Sequence, residues 1–404
     1  MPFAIFVAPQ VSDNAFGMIE AAASLPDVRL GVITHDLADK LRHLEGRVAH
    51  WRVSNVLDAQ QLLWATRELQ ARNGTVDRLY GAFEQAQEPL AAAREALGIA
   101  GMSVSAATNF RDKARMKTLL RGSGLPCARH RLAGSADDAV AFAEHSGFPL
   151  VVKPPTGAGA IATFRVDNMA QLLGALAGSP PSQQQPVLFE EFIVGEEHSF
   201  ETMTVNGTHV WHSLTHYYPT PLTVVENKWI QWSVVLPREV DDASYDDIRA
   251  AARKALDVLG MTTGISHMEW FRRKDGTIAI SEVAARPPGA QITTLMSRAH
   301  EFDFLQEWSR AMIFGQFNVP ERKYAVGAAY LRGQGEGRIT AVHGLEDIQR
   351  EFGNMVVDFK MPAIGATPST SYEGDGFIIV RDESTEHVEK AVLKIVGTVR
   401  VELG

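Results

Sequence analysis

Between Ile265 and Val283 an Asp-Gly dipeptide, Asp275–Gly276, separates two runs rich in strand-forming residues, ISHMEWF and TIAISEV. Asp-Gly tolerates the positive φ angles of a tight hairpin turn, so a two-residue turn is expected there and it sets the pairing of everything outward. Lys274 then faces Thr277, Phe271 faces Ile280, Glu269 faces Glu282 and His267 faces Ala284. Two carboxylates directly opposite one another lie ~5 Å apart at Cβ and repel unless a cation or a proton intervenes.

A divalent cation is the simplest resolution. Two carboxylates without cysteine, leaving positions for water and phosphate oxygens, suit Mg²⁺ (with Mn²⁺ as an alternative) rather than zinc. Continued alternation past Glu282 and Ala284 brings Arg286 to the same face. On its own, the pattern equally fits an exposed hairpin whose glutamates point into water.

Upstream, strand-like and helix-like segments alternate: Phe3–Val7, Asp13–Ala23, Arg29–Thr34, Ala59–Arg72, Arg78–Phe83 and Glu88–Leu97. This predicts an α/β lobe with a parallel sheet. No G-x-G-x-x-G follows the first strand, which weighs against a dinucleotide-binding site. From Asn109, read as an N-cap, a basic helix to Arg121 is expected, then strands and helices to Ile193. The division expected is an N-terminal lobe over 1–108, a smaller unit over 109–194 and a larger one over 195–404 with a C-terminal lobe from about 325.

Lys153 ends a strand and runs into PPTGAGA, where Gly157 and Gly159 give the backbone freedom to close over a polyphosphate; an ordinary surface hairpin reads the same way. Lys113 lies on the basic helix. The strand Val187–Ile193 ends in Glu190, Glu191, Phe192 and Ile193. Backbone groups there would be free for a base edge, and the nearby Glu197 could accept from hydroxyls. The aromatic segment YYPTPLTVVENKWIQW offers Tyr217, Glu226 and Lys228 as a pocket for a zwitterion, or equally an edge strand packing its rings on the core.

Taken in order, Lys113, VVKPPTGAGA, EEFIVGEEHSFE, HMEW and SEVAARPPGA resemble the ATP-grasp superfamily, over roughly Asn109 to Ala325. The flanks resemble those of the carboxylate–amine ligase and biotin carboxylase type. The resemblance implies that Lys113 and Lys153 bind the phosphates of ATP, that Gly157 and Gly159 lie in a lid, and that Glu190–Ile193 hold adenine and Glu197 ribose. It also implies that Glu269 and Glu282 hold Mg²⁺ and that Arg286 stabilises the transferring phosphoryl group. Many members carry Asn two residues after the second metal glutamate. Here Ala284 stands there, so a water or His267 would take that place; His267 is equally placed for a structural or acid–base role.

The implied activity is ATP-dependent joining of a carboxylate to an amine through an acyl phosphate. A bicarbonate-activating enzyme of the biotin carboxylase kind and a non-catalytic nucleotide-binding regulator are the alternatives. The net charge of −9 over 404 residues and the absence of any dense Lys/Arg run make nucleic acid an unexpected partner. No apolar run approaches the ~20 residues of a membrane span. The single cysteine, Cys127, permits no intrachain disulfide, so a reducing cytoplasm is expected, with a homodimer by resemblance only.

Overall fold

The computed structural model describes residues 1–156, 163–227 and 229–404. Strands Phe3–Ala8, Arg29–Thr34, Val48–Arg52 and Arg78–Tyr80 form a parallel sheet, with the first strand between the second and the fourth. Every residue of Phe3–Ala8 is buried, as expected of a parallel strand covered on both faces.

Two antiparallel sheets follow. The smaller places Val187–Glu191 between His130–Ala133 and Leu150–Lys153, with Phe164–Val166 beyond. The larger has eight strands and begins, from one edge, with Ile278–Ala284, Gly264–Arg273, Gly195–Val205 and Thr208–Tyr218. Together with the parallel lobe this is the mixed α/β architecture expected. Thr208–Tyr218 is an interior strand, so the aromatic segment that follows it does not begin at a sheet edge.

Two expectations change. The basic helix is two helices, Val104–Arg111 and Lys113–Gly122; the second is capped by Asp112, whose side chain accepts from the Ala114 and Arg115 amides. Asn109 lies inside the first and donates instead to the Leu259 carbonyl, 3.1 Å away. A short polar side chain can satisfy a distant carbonyl as well as a helix end, and Asp112 stands at the true break.

The hairpin differs more instructively. Gly276 (φ +83) closes a turn on Arg273, whose amide in turn bonds Thr277, so the loop is Lys274–Gly276 and Arg272 pairs with Ile278. That moves Phe271 opposite Ala279 rather than Ile280. A bulge between Glu269/Trp270 and their partners then absorbs Ser281, and from there outward Glu269 pairs with Glu282 and His267 with Ala284 as expected. The bulge also switches which residues point inward: Ile278, Ile280 and Val283 join Trp270, Met268, Met116 and Leu120 in one core. Each such side chain contributes roughly 1.5–3 kcal/mol by leaving water.

Candidate functional site

A cavity of ≈ 700 Å³ opens between the two antiparallel sheets and the carboxyl end of the parallel lobe, within the usual ~300–1,000 Å³ of small-molecule sites. It gathers Lys113, Lys153, Glu190, Glu191, Phe192, Ile193, Glu197, Tyr217, His267, Glu269, Glu282 and Arg286. Gly157, Gly159 and Lys228 lie outside the described residues. Glu226 is elsewhere: it ends the short helix Pro221–Glu226 and lines a separate, shallow hollow beside Arg165 and Asp167. The helix turns its first residues, Leu222 and Thr223, toward the cavity and carries Glu226 away.

Period-two alternation builds the sheet wall. Glu197, Ser199 and Glu201 alternate on one strand, His267 and Glu269 on the next; Glu201 pairs with His267 and Ser199 with Glu269. Glu282 brings the second carboxylate opposite Glu269. Lys113 Nζ sits 2.5 Å from Glu282 Oε1. Burial disfavours the Glu282 anion, but Lys113 and Lys153 outweigh it and hold the carboxyl at about 2. Glu269 goes the other way: burial first, then the Glu282 charge, raises it. Glu197, pressed by burial and by Glu269, is raised well above the ordinary range.

Across the cavity, on the smaller sheet, Glu190 is clamped by two ammonium groups, Lys153 Nζ at 3.0 Å and Lys117 Nζ at 3.3 Å. Lys117 is wholly buried and also donates to the Ser281 carbonyl at 2.6 Å, which ties the helix Lys113–Gly122 to the hairpin bulge. Burial opposes the Glu190 charge, yet the two lysines hold its carboxyl low. Lys153 is raised despite its burial, by Glu190 and then Glu282, whereas burial wins at Lys117 and lowers it. The amides of Glu191 and Phe192 donate to the Arg129 and Pro149 carbonyls. Contrary to expectation, those two N–H groups are therefore not free for a base edge.

Three participants escaped the sequence reading. Lys117 lies one turn beyond Lys113 on the same helix face, a spacing that could have paired them. Glu201, fully buried, holds His267 Nδ1 at 2.8 Å, and its place two alternations after Glu197 was readable. Glu84 follows the last strand of the parallel sheet, is buried, and accepts from Arg111 (2.6 Å) and from Arg286 Nε (3.2 Å). Ligands gather at the carboxyl ends of parallel strands, the one signal that could have flagged it.

The ATP-grasp domain model matches residues 118–302, the span holding Lys153, Glu190, Glu197, Glu269, Glu282 and Arg286. This stretch is an ATP-grasp domain. The chain is 28% identical over 211 residues to the L-arginine-specific L-amino acid ligase of Bacillus subtilis, covering 51% of this chain and 50% of that protein. It is 29% identical over 213 residues to the D-alanine--D-alanine ligase of Frankia casuarinae, covering 50% and 54%. The chain thus spans about half the length of the curated relatives it matches. Over its whole length it superposes on the L-amino acid ligase from Bacillus licheniformis with TM-score 0.76 at 20% identity, covering 100% of this chain and 99% of that one. The N5-carboxyaminoimidazole ribonucleotide synthetase from Thermotoga maritima gives 0.72 at 17%, covering 100% of both. At such identities the likeness shows the ATP-grasp fold. None of the described helices is long and apolar enough to cross a membrane.

The residues fit a divalent cation. Among the described residues no group of three or more His, Cys, Asp or Glu side chains converges as a metal cluster. A facing pair with one carboxyl driven up by burial and its neighbour's charge, at the edge of an open cavity, is what a hard cation relieves, and Mg²⁺ commonly takes one or two carboxylates and completes its shell with water and phosphate.

Proposed function

We propose that this chain is an ATP-dependent carboxylate–amine ligase that forms an amide or peptide bond and releases ADP and phosphate, acting on small carboxylates and amines, amino acids among them. The observation that carries it is the pairing of Glu269 with Glu282 inside a cavity that also holds Lys113 and Lys153. The domain division given above, 1–108, 109–194 and 195–404, is part of this reading.

In the reaction a carboxylate oxygen of the first substrate attacks the γ-phosphorus of ATP, the bond to the bridging oxygen breaks, and ADP leaves with that electron pair. The amine then attacks the acyl carbon, phosphate departs, and a proton leaves the nitrogen. Glu269 and Glu282 would hold the divalent cation, which would supply charge neutralisation for the phosphates. The chain's own part is positioning and electrostatics. Lys153, kept charged by Glu190, and Lys113 face the phosphates. Arg286, held through Nε by Glu84, keeps guanidinium N–H groups for the oxygens of the transferring group. His267, oriented by Glu201, lies beside Glu269. The relatives' printed names, amino-acid ligases in both cases, support the substrate class.

The test is ADP and phosphate release from Mg·ATP across pooled amino acids and small carboxylates, with mass spectrometry of each positive pool. Amine-dependent release with a condensation product of matching mass is expected. ATP binding without release in any pool would sink the ligase reading in favour of a nucleotide-binding regulator.

A further inference from the structure

A second cavity, ≈ 250 Å³, lies behind Arg286, which together with Pro287 lines both it and the main cavity. It opens to solvent beside exposed Ala100, Asn206 and Thr262, and its apolar lining is Met261, Met312 and Trp308. Three arginines line it, Arg78, Arg94 and Arg286, and no carboxylate does among its described lining residues.

Among the described residues Arg286 alone of the three has a carboxylate within ion-pair distance, Glu84; Arg94 feels the neighbouring Glu95 only at longer range. Arg94 is 6% exposed and uses two nitrogens on the Leu79 and Met102 carbonyls, at 3.0 and 2.9 Å. Its Nε–H has no hydrogen-bond partner. Burial lowers its guanidinium to about 10. The equally buried Arg322 makes the contrast: all three of its nitrogens donate, to His300, the Pro237 carbonyl and Ser213. Buried charges are ordinarily paired, because taking an unpaired ion out of water costs several kcal/mol.

The glycine beside Arg94 sharpens the point. A Cβ at Gly101 would lie 2.7 Å from both Cδ and Nε of Arg94, and Gly101 has φ +157, so only glycine packs against this buried, unpartnered N–H in this backbone. Arg78, at the same wall, donates to a backbone carbonyl and has no carboxylate within ion-pair distance among the described residues. A cavity lined by both arginines and apolar side chains matches a ligand with one anionic end and one greasy end.

We propose that this cavity binds a small carboxylate with an apolar tail, of amino-acid size, its carboxylate on Arg94 and Arg78 and its tail against Met261, Met312 and Trp308. At ~30 Å³ per water the space equals about eight waters, enough for such an acid and too small for a nucleotide. The site rests on the cavity and its unpaired cations, not on the ligase reading, and its ligand need not be a substrate.

The chain contains seven tryptophans, of which Trp308 lines this cavity and Trp232 the main one. The experiment is ¹⁹F NMR of the full-length protein labelled with 5-fluorotryptophan, assigned by Trp308→Phe and Trp232→Phe and titrated with sodium butyrate. A saturable shift of the Trp308 resonance is expected, with affinity weakened about tenfold in Arg78→Gln. Arg78 is partly exposed, so that variant keeps the fold. Four outcomes overturn the site: no Trp308 shift up to on the order of 50 mM, a shift of Trp232 alone, equal binding in Arg78→Gln, or inorganic phosphate matching butyrate.

Discussion

The two faces of the large sheet treat buried ionisable groups in opposite ways. Along one strand Glu197, Ser199 and Glu201 share the face on which Glu197 lines the cavity while His198 and Phe200 take the other face, and along its neighbour Thr215 and Tyr217 alternate with His216. On the cavity face charge survives where a partner answers it: Glu282 falls to about 2 beside Lys113, and across the cavity Glu190, on the smaller sheet, stays low between two lysines. On the far face His198 packs 4.7 Å from both His216 and Trp270 and reaches only the exposed Glu196 carboxylate, at 4.0 Å, among the described residues; burial drives His198 to about 3 and His216 to about 4. Burial alone neutralises; burial with a counter-charge stores an ion. The groups on the cavity face that break this pattern, Glu197 and Glu269, are raised because negative charge there exceeds what the lysines offset.

The largest effect expected is on the answered charges. Glu190→Gln leaves Lys117 and Lys153 buried beside a neutral amide and should cost about 3–5 kcal/mol of stability, read by urea unfolding. Replacing Lys117 with Met in the same chain should recover part of that loss, because one of the two stranded ammonium groups is gone. A change in Glu190→Gln below about 1 kcal/mol would mean that the lysines are hydrated and that counter-charge does not sustain the ions around the cavity.

Next comes the facing pair. Glu282→Ala should lower ATP-dependent turnover at least about a hundredfold, roughly 2.7 kcal/mol in barrier. The melting temperature should stay within a few degrees, since the side chain is partly exposed and lies outside the hydrophobic core. Turnover near wild type would remove both the cation and Lys113 from the mechanism.

This pair also shows how far the sequence could be read. Glu269 was matched to Glu282 through a two-residue turn that does not form; a longer loop and a bulge at Ser281 shift the register in opposite directions and cancel. Asp-Gly announces a turn but not its length, and a bulge depends on packing that pulls Ile280 and Val283 to the same side. Alternation and strand order were legible because they repeat along the chain. Lys117 and Glu84 were not, because a polar residue on a helix face or after a strand looks solvated until another element covers it. The free backbone expected at Glu191 and Phe192 failed similarly: Arg129 and Pro149 claim those amides from elsewhere in the chain.

The far face gives a pH test of intermediate size. With native values of about 3 and 4 against ~6.5 unfolded, His198 and His216 bind protons in the unfolded chain first. Their contribution to stability is therefore full above ~6.5 and lost as the pH falls toward 4, by about 2 kcal/mol each at pH 5. Glu190 and Glu282 act in the same direction, but only below the carboxylate range. Glu197 and Glu269, being raised, act oppositely: their contribution is present at low pH and fades as the pH rises through their native values. The variant isolates one histidine from these competing slopes. His216→Phe should lose about 2 kcal/mol less than wild type between pH 7 and pH 5, and an identical loss would mean that His216 is charged in the native state.

The smallest effect marks where the cavity face ends. Glu226 shares its segment with Tyr217 and Trp232, but the cavity takes Leu222 and Thr223 from the first turn of the intervening helix and leaves Glu226 exposed on the last. An exposed carboxylate with no partner in the cavity has neither a charge to answer nor a ligand to hold. Glu226→Ala should accordingly leave turnover and substrate KM within about twofold, under 0.5 kcal/mol. A tenfold rise in KM for an amine substrate would show that the helix reorients when substrate binds and that Glu226 belongs to the charged face after all.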